Sequence, residues 1–191
     1  MSKIYVIIGK SSTGKDTVFK KLMENKKIKT VTIYTTRPMR DGECNGREYF
    51  FTDEEHLKEF EKQGKIIELR IYNTVYGEWK YFTLDDGQID LSKDERYLVI
   101  GTLEAYNKFK EYYGKEAVVP IYIEVDDRTR IHRAIEREDA QDVPKYSEMC
   151  RRFLADEQDF SDEKISEAEI TKRYANYDLN SCVADILKDM L

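Results

Sequence analysis

The stretch Val6–Thr17, VIIGKSSTGKDT, constrains this chain more than any other. An apolar strand runs directly into a loop with glycines at Gly9 and Gly14, followed by Lys15 and a helical pattern. That is G-x-x-x-x-G-K in its expected setting, a strand before and a helix after. Two glycines allow several backbone N–H groups to converge on phosphate oxygens at a helix N-terminus, which favours negative charge. A lysine at this position reaches the outer phosphates of a nucleotide. The next residue is Asp16 rather than the usual Ser or Thr, with Thr17 behind it. Two readings fit Asp16: a Mg²⁺ ligand, or a charge favoured at the positive end of the helix.

The remaining pattern is α/β. Strands are expected at Ile4–Ile8, Tyr49–Phe51, Ile66–Tyr72, Tyr76–Leu84, Tyr97–Ile100 and Val118–Val125, with a short apolar run at Val31–Tyr34. Helices are expected from Lys15 to about Met23, at Thr52–Gln63 with Asp53 as cap, at Glu104–Tyr113, from about Arg128 to Glu138, from near Tyr146, and at Asp178–Leu191. The stretch Thr36–Glu48, with its Arg, Pro, Gly and Asn, reads as loop. Strand–helix alternation interrupted by a β-rich block near residues 33–84 implies a parallel-sheet core with an insertion.

At 191 residues the chain has room for one substantial core and a small inserted subdomain. Its apolar runs are far too short to cross a bilayer, so no membrane partner is expected. The N-terminus enters a strand at once, without the layout of a secretory signal. The three cysteines, Cys44, Cys150 and Cys182, follow no metal-ligand spacing and read as reduced thiols of a cytoplasmic protein. A net charge of −6 argues against a nucleic-acid surface. Arginines nevertheless cluster, at positions 37, 40 and 47 and again between 128 and 152, compatible with a small phosphorylated substrate or with solvated helix faces.

The segment Thr35–Phe51, TTRPMRDGECNGREYFF, places Arg37 and Arg40 three apart, with Tyr49 following. Guanidinium forks and a phenol suit a phosphate dianion. This segment resembles the T-T-R-x-P-R-x-G-E-x-x-G-x-D-Y-x-F signature of guanylate kinases. With the glycine loop ahead of it, the resemblance extends along essentially the whole chain.

The resemblance implies a P-loop NTPase-type parallel sheet core (1–32, 85–125 and 159–191). It also implies an inserted mixed-β nucleoside-monophosphate-binding domain (33–84) and a helical lid (126–158). It implies ATP-dependent phosphorylation of GMP or dGMP with Mg²⁺. ATP would be held by Gly9, Ser11, Ser12, Thr13, Gly14, Lys15, Asp16 and Thr17, with Asn176 near its base. Lys15, Arg133, Arg137 and Arg152 would act on the transferring phosphoryl group, Arg151 being a neighbouring rival to Arg152. Arg37, Arg40, Tyr49 and Tyr76 would grip the monophosphate, and Glu68 would accept from guanine.

The chain departs from that pattern at several points. Lys10, Ser12 and Asp16 replace a proline, a glycine and a serine of the family loop. Ile33 and Glu78 stand where serines near the base are expected, and Gly101 and Leu103 where aspartates are common. With those downstream acids gone, Asp16 is the candidate Mg²⁺ ligand. A kinase for another phosphorylated small molecule and a non-catalytic interaction module of the same fold are the alternatives.

Overall fold

The computed structural model describes residues 2–74 and 77–191. Its elements run β1 (Lys3–Ile8), α1 (Lys15–Met23), β2 (Ile28–Thr30), β3 (Tyr34–Thr35), β4 (Phe50–Phe51), α2 (Glu54–Lys62), β5 (Ile66–Thr74) and β6 (Gly77–Leu84). They continue with β7 (Arg96–Ile100), α3 (Leu103–Tyr113), β8 (Val118–Glu124), α4 (Asp127–Asp139), α5 (Tyr146–Asp159), α6 (Asp162–Glu167), β9 (Arg173–Ala175) and α7 (Leu179–Met190).

Five strands form a parallel sheet in the order β2-β7-β1-β8-β9. The central strand β1 is apolar on both faces, as a sheet covered by helices on each side requires. Ile4, Val6 and Ile8 pack with Tyr106 and Phe109 of α3 and with Phe160. Tyr5 and Ile7 pack on the opposite face with Val18 and Leu22 of α1 and with Val183 and Ile186 of α7. The second sheet is mixed, ordered β4-β3-β6-β5, with β3 and β4 parallel and the other pairs antiparallel. Leu57 of α2 covers one of its faces, against Phe82 and Leu84.

The expected α/β architecture is present, with local differences. The short apolar run Val31–Tyr34 lies between the two sheets. Val31 and Ile33 are buried where the chain passes from the parallel sheet to the mixed one, and β3 begins only at Tyr34. Two short strands were not anticipated. β2 has Lys29 exposed on a sheet edge and β9 has Arg173 and Ala175 exposed, so neither shows an apolar run. The charged stretch after Tyr146 divides at Phe160, where Ser161 caps α6 through the Lys164 N–H. Among the described residues no helix is long and apolar enough to cross a membrane.

Candidate functional site

The loop between β1 and α1 is built around two close approaches. A Cβ on Gly9 would lie 2.5 Å from the Ile123 carbonyl oxygen, so β8 leaves no room for a side chain. Gly14 has φ 85°, and a Cβ there would lie 2.4 Å from Asn176 Nδ2. Ser12 also adopts a left-handed conformation, φ 64°, at the position where it replaces a family glycine; that conformation is unfavourable for an L-residue.

Gly14 occupies the N-cap of α1 and offers no side chain to it. Helices α2, α3, α4, α6 and α7 are capped by Asp53, Thr102, Asp126, Ser161 and Asp178, whereas α5, like α1, starts without a side-chain cap. The uncapped start of α1 presents backbone N–H groups and the positive end of a helix dipole. Lys15 is largely buried, and its Nζ lies 4.0 Å from Asp16 Oδ2; the Asp16 side chain is 78% exposed.

The back of the loop is held by side chains from afar. Asn176 is buried; its Nδ2 donates to the Thr13 carbonyl at 2.8 Å. Arg133 Nη1 donates to the same carbonyl at 3.3 Å, and its Nη2 to the Asn176 carbonyl at 2.8 Å. Both residues thus support the loop from behind in this conformation.

Beside them lies a network that the sequence reading missed. Arg130, 1% exposed, donates to the Ser11 carbonyl at 3.1 Å and to the carboxylates of Asp127, Asp156 and Glu157 at 2.7–2.9 Å. Its guanidinium also lies over the Phe153 ring. Asp156 accepts the Ser11 backbone N–H at 2.7 Å. The only sequence signal was the i,i+3 spacing of Asp127 and Arg130 on α4.

A small cleft between the loop and the helices α4 and α5 is lined by Ser11, Ser12, Arg130, Arg137 and Arg152, among others. Arg152, not Arg151, reaches it. Glu148 pairs with both arginines, and its carboxyl is held down to about 2 by the Arg151 hydrogen bonds first and those of Arg152 next.

The mixed sheet assembles the other expected group. Arg37, 3% exposed, makes two bonds to Glu43 at 2.8 and 3.0 Å and lies over the rings of Tyr49 and Phe51 at 5.3 and 5.5 Å. Burial on its own lowers the Arg37 pKa, but the Glu43 bonds raise it above its ordinary value. Arg40 is exposed, its backbone N–H donating to Glu43. Tyr49 packs edge-on against Tyr81. Its pKa is raised by burial first and then by Tyr81, with Asp16 adding a smaller push in the same direction. Glu68 is buried on β5 and accepts from Thr83 Oγ1 at 2.8 Å. Tyr76 lies outside the described residues.

The site thus joins a parallel sheet, a glycine loop opening a helix without a side-chain cap, and a second, mixed sheet. The guanylate kinase family model matches residues 1–84. The guanylate kinase of Syntrophomonas wolfei is 37% identical over 84 residues, 43% of either chain. That of Legionella pneumophila is 40% identical over 76 residues, 39% of this chain and 36% of the relative. These matches therefore span less than half of those relatives. The guanylate kinase of Porphyromonas gingivalis aligns over 98% of this chain and 96% of its own, at 26% identity. The crystal structure of guanylate kinase from Anaplasma phagocytophilum superposes with a TM-score of 0.64 at 25% identity, covering 99% of this chain and 84% of that one. In its first 84 residues the chain is similar to guanylate kinases by sequence, and over nearly its whole length it shares their fold.

Proposed function

We propose that this protein transfers the γ-phosphoryl group of ATP to GMP or dGMP in the cytoplasm. The observation that carries the reading is the glycine loop, with Gly9, Gly14 and Lys15, opening α1 without a side-chain cap, in a chain whose mixed sheet bears Arg37, Tyr49 and Glu68. The loop suits a polyphosphate and the sheet a nucleoside monophosphate.

In this reading the loop 9–17 holds the ATP phosphates, and Lys15 carries positive charge to the transferring group. Asn176 and Arg133 keep the loop in its binding shape. Arg137 and Arg152, lining the cleft beside Ser11 and Ser12, add donors where charge spreads over the phosphoryl oxygens. Arg37 and Arg40 take the acceptor phosphate with Tyr49 and Tyr76, and Glu68 accepts from the base. The acceptor is already an anion, so positioning and charge stabilisation supply most of the rate, with little general-base help. Residues 33–84 act as the acceptor-binding unit and 126–158 as the lid that excludes water.

No group of three or more potential metal-ligating side chains occurs among the described residues. Mg²⁺ fits a sparser site, since it keeps several waters and binds through one or two carboxylates plus substrate phosphates. Asp16, exposed beside Lys15, is the residue to hold it. When bound, the ion neutralises phosphate charge.

The test is a coupled assay with ATP across all eight common ribo- and deoxynucleoside monophosphates. Transfer to GMP or dGMP well above the others is expected; transfer to none of them refutes the reading.

A further inference from the structure

Arg70 is a partly buried cation to which the acceptor site as described so far gives no task. It alternates with Glu68 along β5, so both side chains leave the same face of the mixed sheet, opposite Thr83 and Tyr81 of β6. The Glu68 side chain is 2% exposed and that of Arg70 is 11% exposed. Arg70 Nε donates to Glu68 Oε2 at 2.9 Å, and Nη2 to Oε1 at 3.1 Å. Burial works against the Arg70 charge, but Glu68 first and Tyr72 next outweigh burial and raise the pKa, so the guanidinium stays protonated. Arg70 also acts electrostatically on Tyr49, the phenol that Arg37 covers. It therefore belongs to the same cluster as the proposed acceptor residues.

Stability is a poor explanation for this pair. Taking two charges out of water is costly, and apolar substitutes are often neutral or better. The donor and acceptor pattern has a more specific use. A guanine edge offers the ring N1–H and the 2-amino group as donors and the 6-oxo group as an acceptor. Glu68 has only acceptors and Arg70 only donors, side by side.

Three bonds already occupy Glu68, leaving about one free lone-pair position for a base that needs two. The Nη2–Oε1 bond, the longest of the three, is the one that can be exchanged. Turning that N–H to the 6-oxo group frees the second position on Glu68. Adenine, with an amino group at C6, would set donor against donor.

We infer that Arg70 determines acceptor specificity by donating to the 6-oxo group of the purine while Glu68 takes N1–H and the 2-amino group. This rests on the GMP kinase reading above. The test compares GMP with 6-thio-GMP, whose C6 sulfur is a weak acceptor, in the parent and in Arg70→Met, with ATP binding measured separately. The parent is expected to prefer GMP. Arg70→Met is expected to lower kcat/KM for GMP by about 10- to 100-fold, the worth of a hydrogen bond to a charged group. The same variant is expected to bring the GMP to 6-thio-GMP ratio close to one and to leave ATP affinity unchanged.

A residue that merely holds Glu68 in place would lower both acceptors equally and leave the ratio intact, which overturns the assignment. Should Glu68, left buried and uncompensated, prevent folding, Glu68→Gln is compared with Glu68→Gln/Arg70→Met. The ratio must again collapse only in the second. A parent inactive on every guanine monophosphate sinks the underlying activity; a parent active on GMP with an unmoved ratio in the variant sinks only the role of Arg70.

Discussion

Lys10 Nζ lies 2.8 Å from both carboxylate oxygens of Glu157, joining the glycine loop to α5 across 147 residues of sequence. The Lys10 hydrogen bonds, ahead of those from Arg130, hold the Glu157 carboxyl below its ordinary 4.5. Because the folded pKa is the lower one, the contribution is complete above 4.5 and is lost as pH falls through the folded value. The Glu157 side chain is 40% exposed, so solvent screening limits this to at most about 1 kcal/mol. Glu157→Gln is expected to lower Tm at neutral pH by about 2–4 °C or less. The difference is expected to shrink below pH of about 4. Thermal melts of parent and variant across pH measure both, and a gap that persists into acid refutes the linkage.

Lys15→Met removes the cation at the start of α1 while its neighbours keep their packing. Folding is expected to change little. Phosphoryl transfer is expected to fall by about 10³-fold or more, as for other electrostatic elements of this chemistry. Single-turnover kinetics beside a thermal melt separate the two effects. Activity within a few-fold of the parent defeats the loop assignment.

What could be read from the sequence follows from how local each cause is. The strand–loop–helix unit of β1 and α1 was legible because Gly9, Gly14, Lys15 and the apolar periods all lie within a short stretch. Asp53 as the cap of α2 was legible for the same reason. β2 and β9 were not, because three-residue edge strands are defined by their partners, β7 and β8, rather than by their own pattern. The proline-to-lysine departure at Lys10 was visible, but Glu157 was not its evident partner. Arg130 looked like one of several arginines on a polar helix; only the fold brings the Ser11 carbonyl and the Asp156 carboxylate to it. Arg70, likewise, is two residues from Glu68 in a strand, where a charged residue ordinarily signals the solvent face.

Arg37 and Arg40 differ in a way that their shared motif conceals. Arg37 is buried, bonded to Glu43 and stacked on two rings, whereas Arg40 is exposed. Arg37→Ala is expected to weaken GMP binding by about 10- to 100-fold, as the loss of a charge-assisted contact does. Arg40→Ala is expected to weaken it less. Neither is expected to alter ATP affinity. Calorimetric titrations with each nucleotide alone check the division, and equal losses for GMP and ATP would show that donor and acceptor sites are wrongly separated.

Asp16 is the proposed holder of the metal. Its carboxylate is exposed, with Lys15 Nζ 4.0 Å away as its nearby cation. A Mg²⁺ ligand and a favourable helix-end charge differ in what their loss does. If the carboxylate holds Mg²⁺, Asp16→Asn raises the Mg²⁺ concentration needed for half-maximal activity and leaves metal-free ATP binding unchanged or tighter, because a negative charge near the phosphates is gone. Asp16→Ser then restores part of the metal response, since a hydroxyl is the usual ligand at this point of such loops. The rescue stays incomplete, because Gly101 and Leu103, just past the end of β7, offer no carboxylate to share the ion. If Asp16 is only a helix-end charge, both variants keep the parent Mg²⁺ profile and lose no more than about 0.3–1 kcal/mol of stability. Metal titrations of parent, Asp16→Asn and Asp16→Ser, read beside their melting temperatures, distinguish the two. A shifted Mg²⁺ midpoint with unchanged melting assigns the carboxylate to the metal, and an unshifted midpoint removes it from the mechanism.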